Sequence, residues 1–95
     1  MRLSDVAIIK THFEDADFWL VRRGSLNTVG QPVRGYNPEH IGIKVTATEL
    51  LLPNFLYYWF MHLHNSKAWQ PLANGTLNLV NIRISDVRAI RLSPK

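Results

Sequence analysis

Four histidines, a run of acids and several serines are the residues here whose chemistry could go beyond packing. His62 and His64 stand two apart in a segment that reads as helix, where positions so spaced point to nearly opposite faces and cannot share one metal ion. His12 with Glu14, Asp15 and Asp17 could attract a hard cation, but the stretch lacks the glycine and ligand spacing of a calcium loop. Ser25, Ser66 and Ser85 lie in no G-x-S-x-G turn, and no histidine is visibly committed as a base to any of them. Gly24–Gly30, GSLNTVG, lacks the Gly-Lys-Ser/Thr ending of a phosphate-binding P-loop and the dinucleotide glycine pattern. The expectation is no enzyme, no resident metal and no cofactor.

Two polar sets suit binding instead. Arg22 and Arg23 end an extended segment, and the glycine-bounded loop after them carries Ser25, Asn27 and Thr28. Hydroxyls, backbone N–H groups and guanidinium forks suit phosphates, and an asparagine amide suits a base edge. Arg34 follows in the irregular Pro32–Pro38 stretch. The second set holds Asn74-Gly75-Thr76, Asn78, Asn81, Arg83 and Arg88. The candidate DNA-contacting residues are Arg22, Arg23, Ser25, Asn27, Thr28, Arg34, Asn78 and Arg83.

The elements that must hold these groups can be read from pattern. Val6–Ile9 is a short apolar run, and Asp17–Arg23 is rich in β-formers. His40–Thr46 alternates Ile41, Ile43 and Val45 against His40, Gly42, Lys44 and Thr46, which predicts a half-buried strand. Pro53 opens a helix to about His64, since a first-turn proline forfeits no helical hydrogen bond. Phe55, Leu56, Trp59, Phe60 and Leu63 make its core stripe at three- and four-residue spacing. A short turn is expected over Lys67–Leu72, a loop at Gly75-Thr76, a one-turn helix capped by Ser85-Asp86, and a strand over Ala89–Leu92. Strands and short helices in this order predict one α+β domain over residues 1–95, with a twisted mixed or antiparallel sheet packed by one apolar helix.

Composition narrows the partner. Eleven Lys and Arg against seven Asp and Glu leave a formal charge of +4, and arginines dominate the basic side. Asp5, Glu14, Asp15 and Asp17 crowd the first stretch, so the remainder is more basic than the average, which suits a polyanion. The absence of cysteine excludes disulfides. Leu50–Leu63 is apolar but shorter than the roughly 20 residues that span a bilayer, and Pro53 and His62 interrupt it. A soluble cytoplasmic protein with no membrane contact is expected. Phe55, Tyr58, Trp59, His62 and Trp69 are the candidate subunit-interface residues, because the helix is apolar on more sides than one thin domain covers.

R-x-G-S occurs in VRRGSLNTVG, then comes the strand ending IGIKVT. L-x-P-x-[FY]-L-Y-Y occurs in LLPNFLYYWF, L-A-x-G-T in LANGT, and N-I-x-x-x-D-[VL]-x-x-I in NIRISDVRAI. This order of motifs resembles the target recognition domain of type I restriction–modification specificity subunits. The likeness covers about residues 17–92. It implies a non-catalytic module that reads half of a bipartite double-stranded DNA sequence on a small α/β scaffold, with separate subunits methylating or cutting. The turn of that pattern falls on Arg23, Gly24 and Ser25, the glycine–threonine step on Gly75 and Thr76, and the last element on Asn81, Ile82, Asp86, Val87 and Ile90; the latter two are expected to be structural. Full subunits join two such domains through long helices that are absent from this sequence. A homodimer is therefore expected, with restriction–modification subunits as further partners. The alternative expectation is a self-associating or protein-binding module that keeps the fold without specific DNA recognition.

Overall fold

The computed structural model describes residues 1–76 and 79–92, with the Thr76 side chain left aside. The chain forms two antiparallel sheets and one main helix, an α+β arrangement. The first sheet contains β1 (Ala7–Lys10), β5 (Ile41–Val45), β2 (Phe18–Leu20) and β4 (Pro32–Val33), in that spatial order. The second contains β3 (Arg23–Gly24), β7 (Leu79–Asn81) and β6 (Asn74–Thr76). Helix α1 spans Pro53–Asn65 and α2 spans Ile84–Arg88.

Strand register sorts the side chains of the first sheet into two faces. Ala7 lies opposite Val45, Ile9 and Phe18 opposite Ile43, and Leu20 opposite Ile41. All seven are buried, so the period-two pattern of β5 has its inner face where alternation placed it. On the other face Trp19 pairs with Gly42, and a side chain at Gly42 would press on Phe13. The Trp19 indole donates to the Phe13 carbonyl at 2.9 Å, so the segment after β1 crosses the sheet and is only partly solvated. Asp17 takes part as well: its Oδ2 accepts from the Val45 N–H at 2.8 Å. Asp17–Arg23 is not one strand. It splits into β2 and β3, and the chain passes from one sheet to the other at Val21 and Arg22.

Leu56 and Phe60 of α1 cover the inner face of the first sheet. The Phe60 ring lies 5.9 Å from Phe18 and stacks on Trp69 at 6.2 Å with the planes 7° apart. Pro53 occupies the first turn without a side-chain cap on Leu52. The helix ends in a Schellman arrangement: Ala68 N–H reaches the Leu63 carbonyl and Lys67 N–H that of His64. Leu56 and Phe60 carry the burial expected of the core stripe, Trp59 and Leu63 are half-buried, and Phe55 departs from it at 62% exposure. The first sheet covers one side of α1 only, so Leu52, Phe55 and Tyr58, at successive three-residue steps, face outward.

The C-terminal part closes back on the N-terminus. Val87 of α2 is fully buried, and both Nε and Nη2 of Arg88 donate to the Ile9 carbonyl. Helix α2 is led in by Arg83, with no side-chain cap from Ser85 or Asp86. Ala89–Leu92 is not a strand; among the described residues its ladder contact is a single bridge between Arg2 and Arg91. Asn74–Thr76 is strand and not loop, because it pairs with Leu79–Asn81.

Trp69 is 3% exposed and belongs to the core, not to an outer interface. Gly30 stands against its indole edge with φ of +83°, and an added methyl would overlap the ring. Gly30→Ala therefore combines a left-handed backbone penalty with overpacking, and should destabilise the protein by about 2–4 kcal/mol in urea unfolding. An unchanged midpoint would show that Trp69 does not depend on this close approach.

Candidate nucleic-acid interface

The second sheet brings the two polar sets of the sequence together. Arg23 lies directly opposite Asn81, and Asn81 directly opposite Asn74. Directly opposed residues share a face, so these three form a row across the sheet. The next row holds Gly24, Val80 and Gly75. Val80 is 4% exposed and points into the core. Since successive residues alternate, Asn81 and Leu79 point outward, and Leu79 is 79% exposed. The glycines on either side of Val80 bring no side chain to the inner face. The outer face is thus a guanidinium and two amides beside one exposed leucine.

Arg83 extends the row. Its Nη2 donates to Asn74 Oδ1 at 3.3 Å, which holds a second guanidinium near the amides. Arg23 meets Glu39 at 3.9 Å, with both side chains about two-thirds exposed. Such a solvated pair contributes little stability and yields readily to a stronger anion.

The remaining candidates divide. Ser25 Oγ and Thr28 Oγ1 lie 3.1 Å apart, and Thr28 Oγ1 also donates to the Ser25 carbonyl. Their hydroxyls staple the turn after β3, which leaves Asn27 as its exposed amide. Arg22 is half-buried, and its Nε is shielded from solvent with no hydrogen-bond partner among the described residues. It is set back from the surface that Arg23 occupies. Arg34 is held over the Tyr57 ring at 3.9 Å, beside α1 and not in the row. Arg88 is likewise absent from the row, because its Nε and Nη2 both donate to the Ile9 carbonyl of β1, in the first sheet. Asn78 lies outside the described residues. Among the candidate interface side chains, Phe55, Tyr58 and His62 are exposed, and Trp59 is half-buried.

Sequence reasoning kept the Arg22–Thr28 and Asn74–Arg83 sets apart because their union rests on pairing between residues 23 and 81. It also missed Glu39 as the neighbour of Arg23. The available signal was the alternation of Leu79, Val80 and Asn81 beside Asn-Gly-Thr, a hairpin pattern.

His40 sits next to Glu39, and its Nδ1 is buried with no partner among the described residues. Burial lowers the His40 pKa below the ordinary 6.5, and the Glu39 charge opposes that only in part. The unfolded chain therefore takes up a proton on this ring before the folded one does as pH falls. Stability contributed by the neutral ring is lost through the range from the ordinary value down to the lowered one. His40→Gln should flatten the decline in urea midpoint between about pH 7.5 and about pH 5.5. A decline as steep as that of the unsubstituted protein would place its source elsewhere.

Comparison with family models, curated proteins and solved structures returned no match, so no relative lends this chain a role.

Proposed function

We propose that this chain is a non-catalytic DNA-binding module that grips duplex DNA with the outer face of its second sheet. The observation that carries this reading is the row of Arg23, Asn81 and Asn74, with Arg83 hydrogen-bonded to Asn74. Guanidinium groups supply bidentate contacts to phosphates or guanine edges, and amides supply paired donor and acceptor contacts to adenine. The +4 formal charge favours such a partner, and the resemblance of the motif order to target recognition domains agrees with it. In this reading the first sheet and α1 are the scaffold, and methylation or cleavage belongs to other subunits.

A second reading, self-association, is favoured by Leu52, Phe55 and Tyr58, each more than 60% exposed on one flank of α1. It is compatible with the first, because the row lies on the second sheet and the apolar flank on the helix. A symmetric pair would present two rows to one duplex.

Affinity for random duplex DNA should fall steeply with salt, because phosphate contacts release counterions. Arg23→Glu and Arg83→Glu should each weaken binding and reduce the slope of log affinity against log salt by about 1. Glu39→Gln frees Arg23 and should strengthen binding at low salt. Salt-independent affinity, or full affinity in both reversed-charge variants, would end the proposal. Sedimentation at micromolar concentration tests the second reading: the unsubstituted chain should sediment as a dimer, and Phe55→Glu with Tyr58→Glu as a monomer. A monomer in both cases removes it.

A further inference from the structure

Leu79 is the residue of the second sheet that the arginine row leaves unexplained. It lies on β7, the central strand, two residues from Asn81 and on the same outward face. At 79% exposure it shows more of itself to solvent than any other large apolar side chain among the described residues. Strand β3 pairs with β7 only as far as Gly24 opposite Val80, so β3 offers no partner beside Leu79. The turn that follows spends its Ser25 and Thr28 hydroxyls on each other. Leu79 adds nothing to the core, since Val80 is the residue that β7 buries.

The dimensions of this face select a groove. Its three strands, spaced at about 4.8 Å, place the outer two about 10 Å apart. That breadth exceeds the roughly 6 Å minor groove of B-DNA and suits the roughly 12 Å major groove. Side chains two apart on a strand stand about 6.8 Å from each other, which is two base steps at about 3.4 Å each. With β7 lying along the groove, Asn81 and Leu79 therefore meet bases two steps apart. The amides of Asn81 and Asn74 match the paired donor and acceptor that adenine presents in the major groove. The apolar feature of that groove is the 5-methyl group of thymine.

A protein partner suits the surroundings of Leu79 less well. Interface cores gather several apolar or aromatic anchors and shed charge. Leu79 instead has Asn81 two residues away on its own strand, with Arg23 and Asn74 on either side of Asn81 and Arg83 bonded to Asn74. One apolar side chain among hydrogen-bond donors can select only by what it covers. On the floor of a major groove that is a methyl group.

We infer that Leu79 is a specificity-determining residue, whose side chain covers the 5-methyl group of a thymine two base steps from the adenine that Asn81 contacts. This rests on the reading of the row as a DNA-binding face. It adds a sequence preference that contacts to phosphates do not supply. Thymine at that step buries its methyl against the leucine, whereas a base without a methyl leaves the leucine uncovered.

The test first enriches duplexes from a randomised library with the unsubstituted chain. Their affinity, read by fluorescence anisotropy at fixed salt, is then compared with that of copies carrying deoxyuridine for thymidine, a change that deletes only the 5-methyl group. The unsubstituted chain should lose at least about fourfold, the contribution of one buried methyl. Leu79→Ala should bind the thymidine duplexes more weakly and lose no further affinity on deoxyuridine. Leu79→Val keeps an apolar tip and should retain most of the discrimination. Both variants should keep the urea midpoint of the unsubstituted chain, because the side chain is exposed. The inference fails if no sequence is enriched, if deoxyuridine binds as well as thymidine, or if Leu79→Ala discriminates as the unsubstituted chain does. Those results leave the DNA reading standing as long as affinity falls with salt and on Arg23→Glu. Loss of both dependences removes that reading, and this inference with it.

Discussion

The aromatic cluster of Phe18, Phe60 and Trp69 is the constraint on which the rest of the structure depends. Phe18 belongs to the first sheet, Phe60 to α1, and Trp69 to the segment that leads to the second sheet. Aromatic rings at 5.9 and 6.2 Å bury large areas and fix mutual orientation. Gly30 completes the contact, because only a residue without a side chain lets the backbone approach the Trp69 edge so closely. The glycine-bounded turn is thereby set against the end of α1, and β3 is carried into the second sheet. The arginine row inherits its position from this packed column.

The two surfaces differ in how they meet solvent. The outer face of the second sheet is open, and its arginines are held by weak contacts, a solvated ion pair and a hydrogen bond to an amide. Such a face can exchange internal partners for phosphates at small cost. The exposed flank of α1 has the opposite character. It shows Leu52, Phe55 and Tyr58 to solvent because only one side of the helix has a sheet to cover it. Charge and greasiness are therefore separated on one small body.

Much of the fold was legible in local pattern. The inner face of β5 and the start of α1 at Pro53 are where pattern placed them, because each reports a short-range requirement, a pleat with a buried face and a first turn that needs no N–H; the other face of β5 is covered too at Gly42, by Phe13. The failures share a cause. Asp17–Arg23 reads as one strand because its residues all favour extension, yet Val21 and Arg22 carry the chain between two sheets. Trp69 reads as a subunit-interface residue beside the apolar helix, and the close approach that buries it is made by Gly30, far away in sequence. The arginine row needed the pairing of residues 23 and 81, which no local pattern encodes.

The central claim is that the outer face of the second sheet is the surface that grips a polyanion. Mapping amide shifts in ¹H–¹⁵N spectra on addition of a short random duplex tests it most directly. The account predicts that the largest shifts fall on Arg23, Asn74, Asn81 and Arg83 and shrink as salt is raised. Shifts confined to the exposed flank of α1, or none at any salt, would contradict it.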